Sequence, residues 1–266
     1  STGALDNPTA ATNGWTTTGL YDRSAYLMSL PVSILGKLGD SVLFSGMSAI
    51  QNEKDALQSV LRRALGLIAW LTFPGSLALA WFAGDVAALL LGEPYAEAEP
   101  IVRVLFIGVA FRSMIKLADA LIRAVDALNV AILIKSIYLM GLGLSSWFVL
   151  SVGWGIEGVA WSVTIWTVVQ FLFLSAWALR SVEWNLLEAI RSIMPGIKAL
   201  LIAAALLGIL SQVLHYTMAI YVPSASPLTI HLAHAMVAII STIIALFAAA
   251  ILHPEVVDGG DLELRK

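Results

Sequence analysis

The sequence predicts an all-α protein, a polytopic bundle of about seven transmembrane helices. Three observations predict it. Hydrophobic residues make up 59% of the chain and charged residues 12%, with a mean hydropathy of +0.87, whereas an ordinary soluble domain is about 25% charged. Apolar runs near the length of about 20 residues that a bilayer core requires recur along the chain. The segments between them alternate between carrying Lys or Arg and carrying none, as expected when successive loops lie on opposite sides of a membrane.

The elements follow in order. Residues 1–22 are polar, and the first span is expected at 26–50, where Lys37, Asp40, Ser41, Ser45 and Ser48 make it amphipathic. The second, at 64–84, follows a segment carrying Lys54, Arg62 and Arg63. Pro31 and Pro74 fall inside these spans, which embedded helices tolerate because neighbours re-satisfy the freed carbonyls. GDVAALLLGEPYAEAEP is too short and too punctuated to cross, so an interfacial helix and a turn are expected there. Spans at 101–122, 130–151 and 157–178 complete a bundle over 23–180. A connection at 181–195, basic like the tail at 253–266, leads to two closing spans at 196–215 and 229–251, within a C-terminal unit at 196–252. Basic residues at 54–63, around 180–198 and at Arg265 and Lys266 place those segments and the C-terminus in the cytoplasm. Tyr95, Trp154, Tyr216 and Tyr221 then lie at the outer interface, where amphipathic rings belong.

Composition also narrows function. A net charge of −3 with no basic cluster gives no footprint for nucleic acid. The absence of cysteine excludes thiolate catalysis, disulfides and cysteine metal sites. There is no glycine-rich phosphate loop, serine nucleophile motif or acidic metal motif, so no catalytic residue, cofactor or metal is expected. His231 and His234 stand three apart on the last span. Two imidazoles without a nearby carboxylate or cysteine make a poor metal site, and solvation near the outer interface explains them. Glu93, Glu97 and Glu99 read as the acidic flank of an outer loop.

The stretch FRSMIKLADALIR is different. Arg112, Lys116, Asp119 and Arg123 lie inside an apolar run, and at about 100° per residue they fall within roughly 60° of one another on a helix. An Arg or Lys at the centre of a lipid-exposed span costs about 2.5 to 3.5 kcal/mol, so this stripe is not expected to face lipid. Arg123 can snorkel to the cytoplasmic headgroups. One reading makes the stripe a packing network in which Asp119 and Asp40 neutralise the cations. The other notes three cations to one anion, with Lys37 and Lys135 adding more on neighbouring spans. That excess suits a hydrated cavity for an anionic headgroup such as a pyrophosphate, which guanidinium binds in bidentate fashion.

Local patterns carry a family resemblance. GLYDRSAYLMSLPVSILG at 19–36, LLLGEPYAEAEPIVRVL at 89–105, GIEGVAWSV at 155–163 and LDN at 5–7 occur in an order and spacing that resemble the oligosaccharide flippases of the polysaccharide transporter family, relatives of the multidrug and toxic compound extrusion fold. The chain resembles the second six-helix bundle of such proteins with two extra C-terminal helices, and departs from them in the polar PTAATNGWTTTG that follows LDN. The resemblance implies the C-terminal portion of a bacterial inner-membrane protein that flips polyprenyl-pyrophosphate-linked oligosaccharide for exopolysaccharide or lipopolysaccharide assembly. Its implied partners are the lipid bilayer, that substrate, an N-terminal bundle of the same protein and polysaccharide polymerase machinery. By the same resemblance Arg112, Lys116 and Lys37 take the role of cationic cavity residues. A membrane glycosyltransferase or ligase acting on the same carriers is the alternative of another class, disfavoured by the short outer loops. A multidrug exporter is the nearer one, disfavoured because cationic drugs call for a carboxylate in the cavity. A purely structural membrane subunit is the remaining alternative.

Overall fold

The computed structural model describes residues 8–38, 44–92, 95, 98–221 and 226–252. Among them the chain is all-helical, in the order α1 (Pro8–Leu38), α2 (Phe44–Ala49), α3 (Lys54–Trp81), α4 (Ala83–Leu91), α5 (Glu99–Ala124), α6 (Leu128–Val152), α7 (Gly155–Ser181), α8 (Leu186–Tyr221) and α9 (Pro227–Leu252).

Local chemistry sets several of these boundaries. Pro8 and Pro227 open α1 and α9, and Pro100 is the second residue of α5; there a missing N–H costs nothing because first-turn donors have no helical partner. Asp55, Asp85 and Glu99 sit in the first turns of α3, α4 and α5, where the helix dipole favours negative charge. At the other end of α6, Gly153 takes a left-handed φ of 86° and its N–H reaches the carbonyls of Leu150 and Val149. That closes the helix and leaves a turn short enough to fold α7 back against α6.

α5 is the central helix. Val102, Leu105, Phe106, Leu121 and Ile122 on it are buried, and it packs chiefly on α7, α3 and α1 while touching α6 lightly. One apolar cluster joins Leu27 and Met28 of α1, Ala83 and Ala87 of α4, Phe106 of α5 and Val163 of α7. A second joins Met47, Leu57, Leu61, Leu121 and Trp184 at the opposite end. α6 rests mainly on α7 and exposes Ile132, Leu133, Met140, Leu144 and Trp147, an apolar surface suited to lipid.

The last two helices are held by close backbone approach. α8 lies against α3 with Gly196 over Ala69, where a Cβ on the glycine would come 2.6 Å from the Ala69 carbonyl. One turn away, a Cβ on Gly66 would meet the Ser192 carbonyl at 3.2 Å. Small residues at such crossings let embedded helices gain dispersion contacts along their length. At the basic end of α3, Lys54 pairs with Glu183, Arg62 Nη2 lies 2.6 Å from Glu188 Oε2, and Gln58 Nε2 donates to the Val182 carbonyl at 2.6 Å. These contacts fasten the α7–α8 connection, which Glu183 turns with a φ of 53°.

Three sequence expectations change in detail. Among the described residues five helices, namely α3, α6, α7, α8 up to Met218 and α9, are long and apolar enough to cross a membrane. α1 and α5 have the length, at 31 and 26 residues, but α1 is too polar and α5 too charged to satisfy the same measure. The span expected at 26–50 falls on two elements: α1 begins at Pro8, so its polar half is helical, and α2 follows as a separate short helix. The connection expected at 181–195 narrows to residues 182–185, because α8 starts at Leu186 and continues through Pro195. Its first turns carry Glu188, Arg191 and Lys198, and that polarity hid the helix from a hydropathy reading. The short helix α4 lies where an interfacial helix was expected.

Candidate anion-binding face on the central helix

α5 places Arg112, Lys116, Asp119 and Arg123 on one face because they recur at intervals of four, three and four within a continuous helix. The residues between them, Ser113, Met114, Ile115, Leu117 and Ala118, are buried, which fixes the rotation of the helix. That rotation turns the stripe toward the space between α1 and α6. Arg112 is half-buried, Lys116 and Arg123 are exposed, and Asp119 is half-buried.

The partners divide these side chains in a way the sequence did not reveal. Lys135 of α6 lies 3.1 Å from Asp119 Oδ1, with 49% of the lysine side chain and 16% of the aspartate side chain exposed. The contact is a charge pair rather than an aligned hydrogen bond. Arg123 Nε donates back to the Asp119 carbonyl at 3.3 Å. Arg112 instead lies close enough to Tyr21 of α1 to interact with it electrostatically, and Tyr21 in turn senses Tyr138 of α6. Among the described residues neither Arg112 nor Lys116 has a carboxylate partner. Lys37 lies one residue before the end of α1, with its side chain outside the description, and Asp40 lies outside the described residues.

The geometry therefore spends the one carboxylate of the stripe on a lysine from the next helix. What remains is a guanidinium beside a phenol and an ammonium one turn further along, a donor-only pair suited to anionic oxygens. Tyr21 and Tyr138 were missed by sequence reasoning. A tyrosine in an apolar run gives no signal of its own, and only the packing of α1 and α6 beside α5 brings Tyr21 to the arginine and Tyr138 to Tyr21.

A search of solved structures finds the same arrangement of helices. "Lipid II flippase MurJ, inward closed conformation" matches with a TM-score of 0.65 at 14% sequence identity, over 91% of this chain and 48% of that one. The chain shares the fold of a lipid flippase. It spans about half the length of that relative. Residues 11–100 match the family described as polysaccharide biosynthesis protein, and these residues include the tyrosine and arginine turn and the Leu-Leu-Gly turn from which the family resemblance was read. No curated protein sequence matches the chain. The likeness in fold, together with five helices among the described residues that are long and apolar enough to cross a bilayer, makes this a multi-pass membrane protein.

Two further residues singled out in the sequence lie elsewhere in this fold. His231 and His234 of α9 meet Asp85 of α4, far from the α5 stripe along the chain. The carboxylate that the sequence reading found lacking is thus supplied from 146 residues away. Solvation at an interface does not describe them. Glu99 pairs with Arg103 one turn along α5, while Glu93 and Glu97 lie outside the described residues.

Proposed function

We propose that this chain is the second half of a transporter that flips polyprenyl-pyrophosphate-linked oligosaccharide across the bacterial inner membrane, for exopolysaccharide or lipopolysaccharide assembly. The observation that supports it best is the α5 face, where Arg112 and Lys116 are left without a carboxylate partner among the described residues while Asp119 is taken by Lys135. An exposed lysine and a half-buried arginine on a central helix would each cost about 2.5 to 3.5 kcal/mol against lipid. A first bundle, covering the half of the flippase fold that this chain lacks, would turn that face into the wall of a hydrated cavity.

In this reading α1 and α5 cross the membrane with the five more apolar helices, and the basic end of α3 and the C-terminus are cytoplasmic. Arg112 engages the pyrophosphate through its planar fork, Lys116 follows as a mobile point charge, and Lys37, Lys135 and Arg123 extend the field toward the cytoplasmic side. The polyprenyl tail stays in lipid while the two bundles rock about the site, the usual mode of alternating access. The protein itself makes and breaks no covalent bond, so it acts without a catalytic residue. Polysaccharide polymerase machinery then receives the sugar on the outer side.

The test uses the full-length protein in a strain lacking it, with the leaflet of the lipid-linked repeat unit as the readout. Loss of the protein should trap the unit on the cytoplasmic leaflet, and Arg112→Gln with Lys116→Gln should trap it equally while inserting at normal levels. Normal flipping by that double variant would reassign the stripe to packing.

A further inference from the structure

The end of α7, the α7–α8 connection and the start of α8 form an open groove of about 620 Å³, within the range of about 300 to 1,000 Å³ that small-molecule sites occupy. Leu172, Ala176, Leu179 and Leu186 give it a mainly apolar lining. From Leu172 to Leu179 the groove follows α7 for about 10 Å at 1.5 Å per residue. α7 and α8 are both long and apolar enough to span a bilayer, so the connection between them lies at a membrane surface. A groove that descends about 10 Å from there stays within one leaflet, whose apolar half-thickness is about 15 Å. That is the depth at which the upper part of an acyl chain lies.

The charges at its rim are not balanced. Lys54 takes Glu183, while Arg62 Nη2 at 2.6 Å and Trp184 Nε1 at 3.1 Å share Glu188 Oε2. Arg180, exposed in the last turn of α7 and part of the groove lining, has no carboxylate partner among the described residues. Ser175 lines the groove deeper along α7. Ser162, Thr167 and Ser181 of the same helix each return a hydrogen bond to a backbone carbonyl, whereas the Ser175 hydroxyl has no partner among the described residues. The contacts from α3, with Gln58 Nε2 on the Val182 carbonyl, hold the connection in place, so the groove is preformed.

We propose that this groove binds one anionic phospholipid, with the headgroup phosphate on Arg180, an ester of the glycerol near Ser175 and an acyl chain along Leu172, Ala176 and Leu179. A guanidinium fork meets two phosphate oxygens at once, and basic pockets between spans take anionic headgroups in this way. A zwitterionic lipid offers the same phosphate but brings its own cation toward Arg180, so it binds less well. The bound lipid bridges the two spans that the short connection joins. Among the described residues no part of α5 lines the groove, so the site is separate from the cationic stripe and does not depend on the transport reading.

The test places the full chain in phosphatidylcholine vesicles carrying a trace of a lipid with a photoactivatable diazirine on one acyl chain, either a phosphatidylglycerol or a phosphatidylcholine. Labelled residues are mapped by peptide mass spectrometry. The ratio of labelling by the glycerol probe to labelling by the choline probe should be about fivefold higher over residues 172–186 than at Leu139 and Leu144, exposed residues of α6; that is the factor expected of one basic residue beside anionic lipid. Arg180→Gln should bring the ratio down to that of α6. Ala176→Trp, which fills the groove, should remove the excess with Arg180 still in place. Arg112→Gln with Lys116→Gln should leave the excess unchanged, so the lipid site and the transport reading can fail separately. Equal ratios over both regions in the wild type, or an excess that survives Arg180→Gln, would overturn the site. Loss of the excess on adding glycerol phosphate would assign Arg180 to a soluble phosphate and overturn it as well.

Discussion

At the residue scale, the charges of α5 were legible in the sequence and their partners were not. Helical spacing alone puts Arg112, Lys116, Asp119 and Arg123 on one face, because that needs only a continuous helix. Which cation Asp119 holds depends on the rotation of α6 against α7, set by side chains 20 and more residues away, and the answer was Lys135. Since half of that lysine is exposed, the pair is weak. A double-mutant cycle of Asp119→Asn and Lys135→Gln, followed by thermal unfolding in lipid, should give a coupling of about 1 kcal/mol or less. A much larger coupling would mean that water is excluded from the cleft. The carboxyl of Glu183, in the α7–α8 connection, is held below the usual carboxylate range by its hydrogen bond to Lys54 and by that ammonium's charge. A lowered value in the folded state means that the contribution is present above the ordinary range and lost as pH falls through the lowered value. Lys54→Met should therefore remove part of the acid sensitivity of unfolding between pH 5 and 2, and an unchanged profile would show that Glu183 is insensitive to its partner.

At the scale of elements, hydropathy located the middles of α3, α5, α6, α7 and α9 and erred where polar residues continue a helix beyond the apolar run. α1 shows this: Pro8 starts the helix, but PTAATNGWTTTG carries no apolar stripe that a sequence reading could follow. α8 shows it again, with Arg191 and Lys198 inside a helix that begins at Leu186. The crossing of α3 and α8 was legible only as an abundance of small residues. Its particular contact, Gly196 over Ala69, makes a sharp prediction. Gly196→Val would force a side chain into backbone, at a cost of about 1 to 3 kcal/mol, and should lower the unfolding temperature of the protein in lipid. Gly208→Val on the same helix, where a Cβ meets nothing within 4 Å, should be far milder; equal effects would mean that the loss comes from helix chemistry rather than from the crossing.

At the scale of the whole molecule, the fold class and the resemblance to a flippase followed from composition, loop charge and ordered turns, because these are properties of the chain that no tertiary contact can override. The meeting of Asp85 with His231 and His234 could not be read, since 146 and 149 residues separate the partners and neither side has a motif. The open face of α5 also belongs to this scale, because the proposed anion site needs a second wall that a first bundle would supply. A lone cysteine replacing Lys116 should react with a membrane-impermeant thiol reagent in the full-length protein. Protection from that reagent in every conformation would place the position in a dry interface and remove the cavity. The isolated chain in vesicles should flip no lipid-linked sugar.

The seam between α3 and α8 carries one more consequence. With a glycine seated on backbone at its middle and two ion pairs at the basic end, the last two helices have no hinge to α3 about which to turn. If the chain transports as proposed, whatever angle α3 sweeps during the cycle α8 and α9 sweep as well, like a keel fixed to a hull. On that proposal the lipid that wraps this hairpin is dragged with each stroke, so bilayer thickness and viscosity would act directly on the speed of transport.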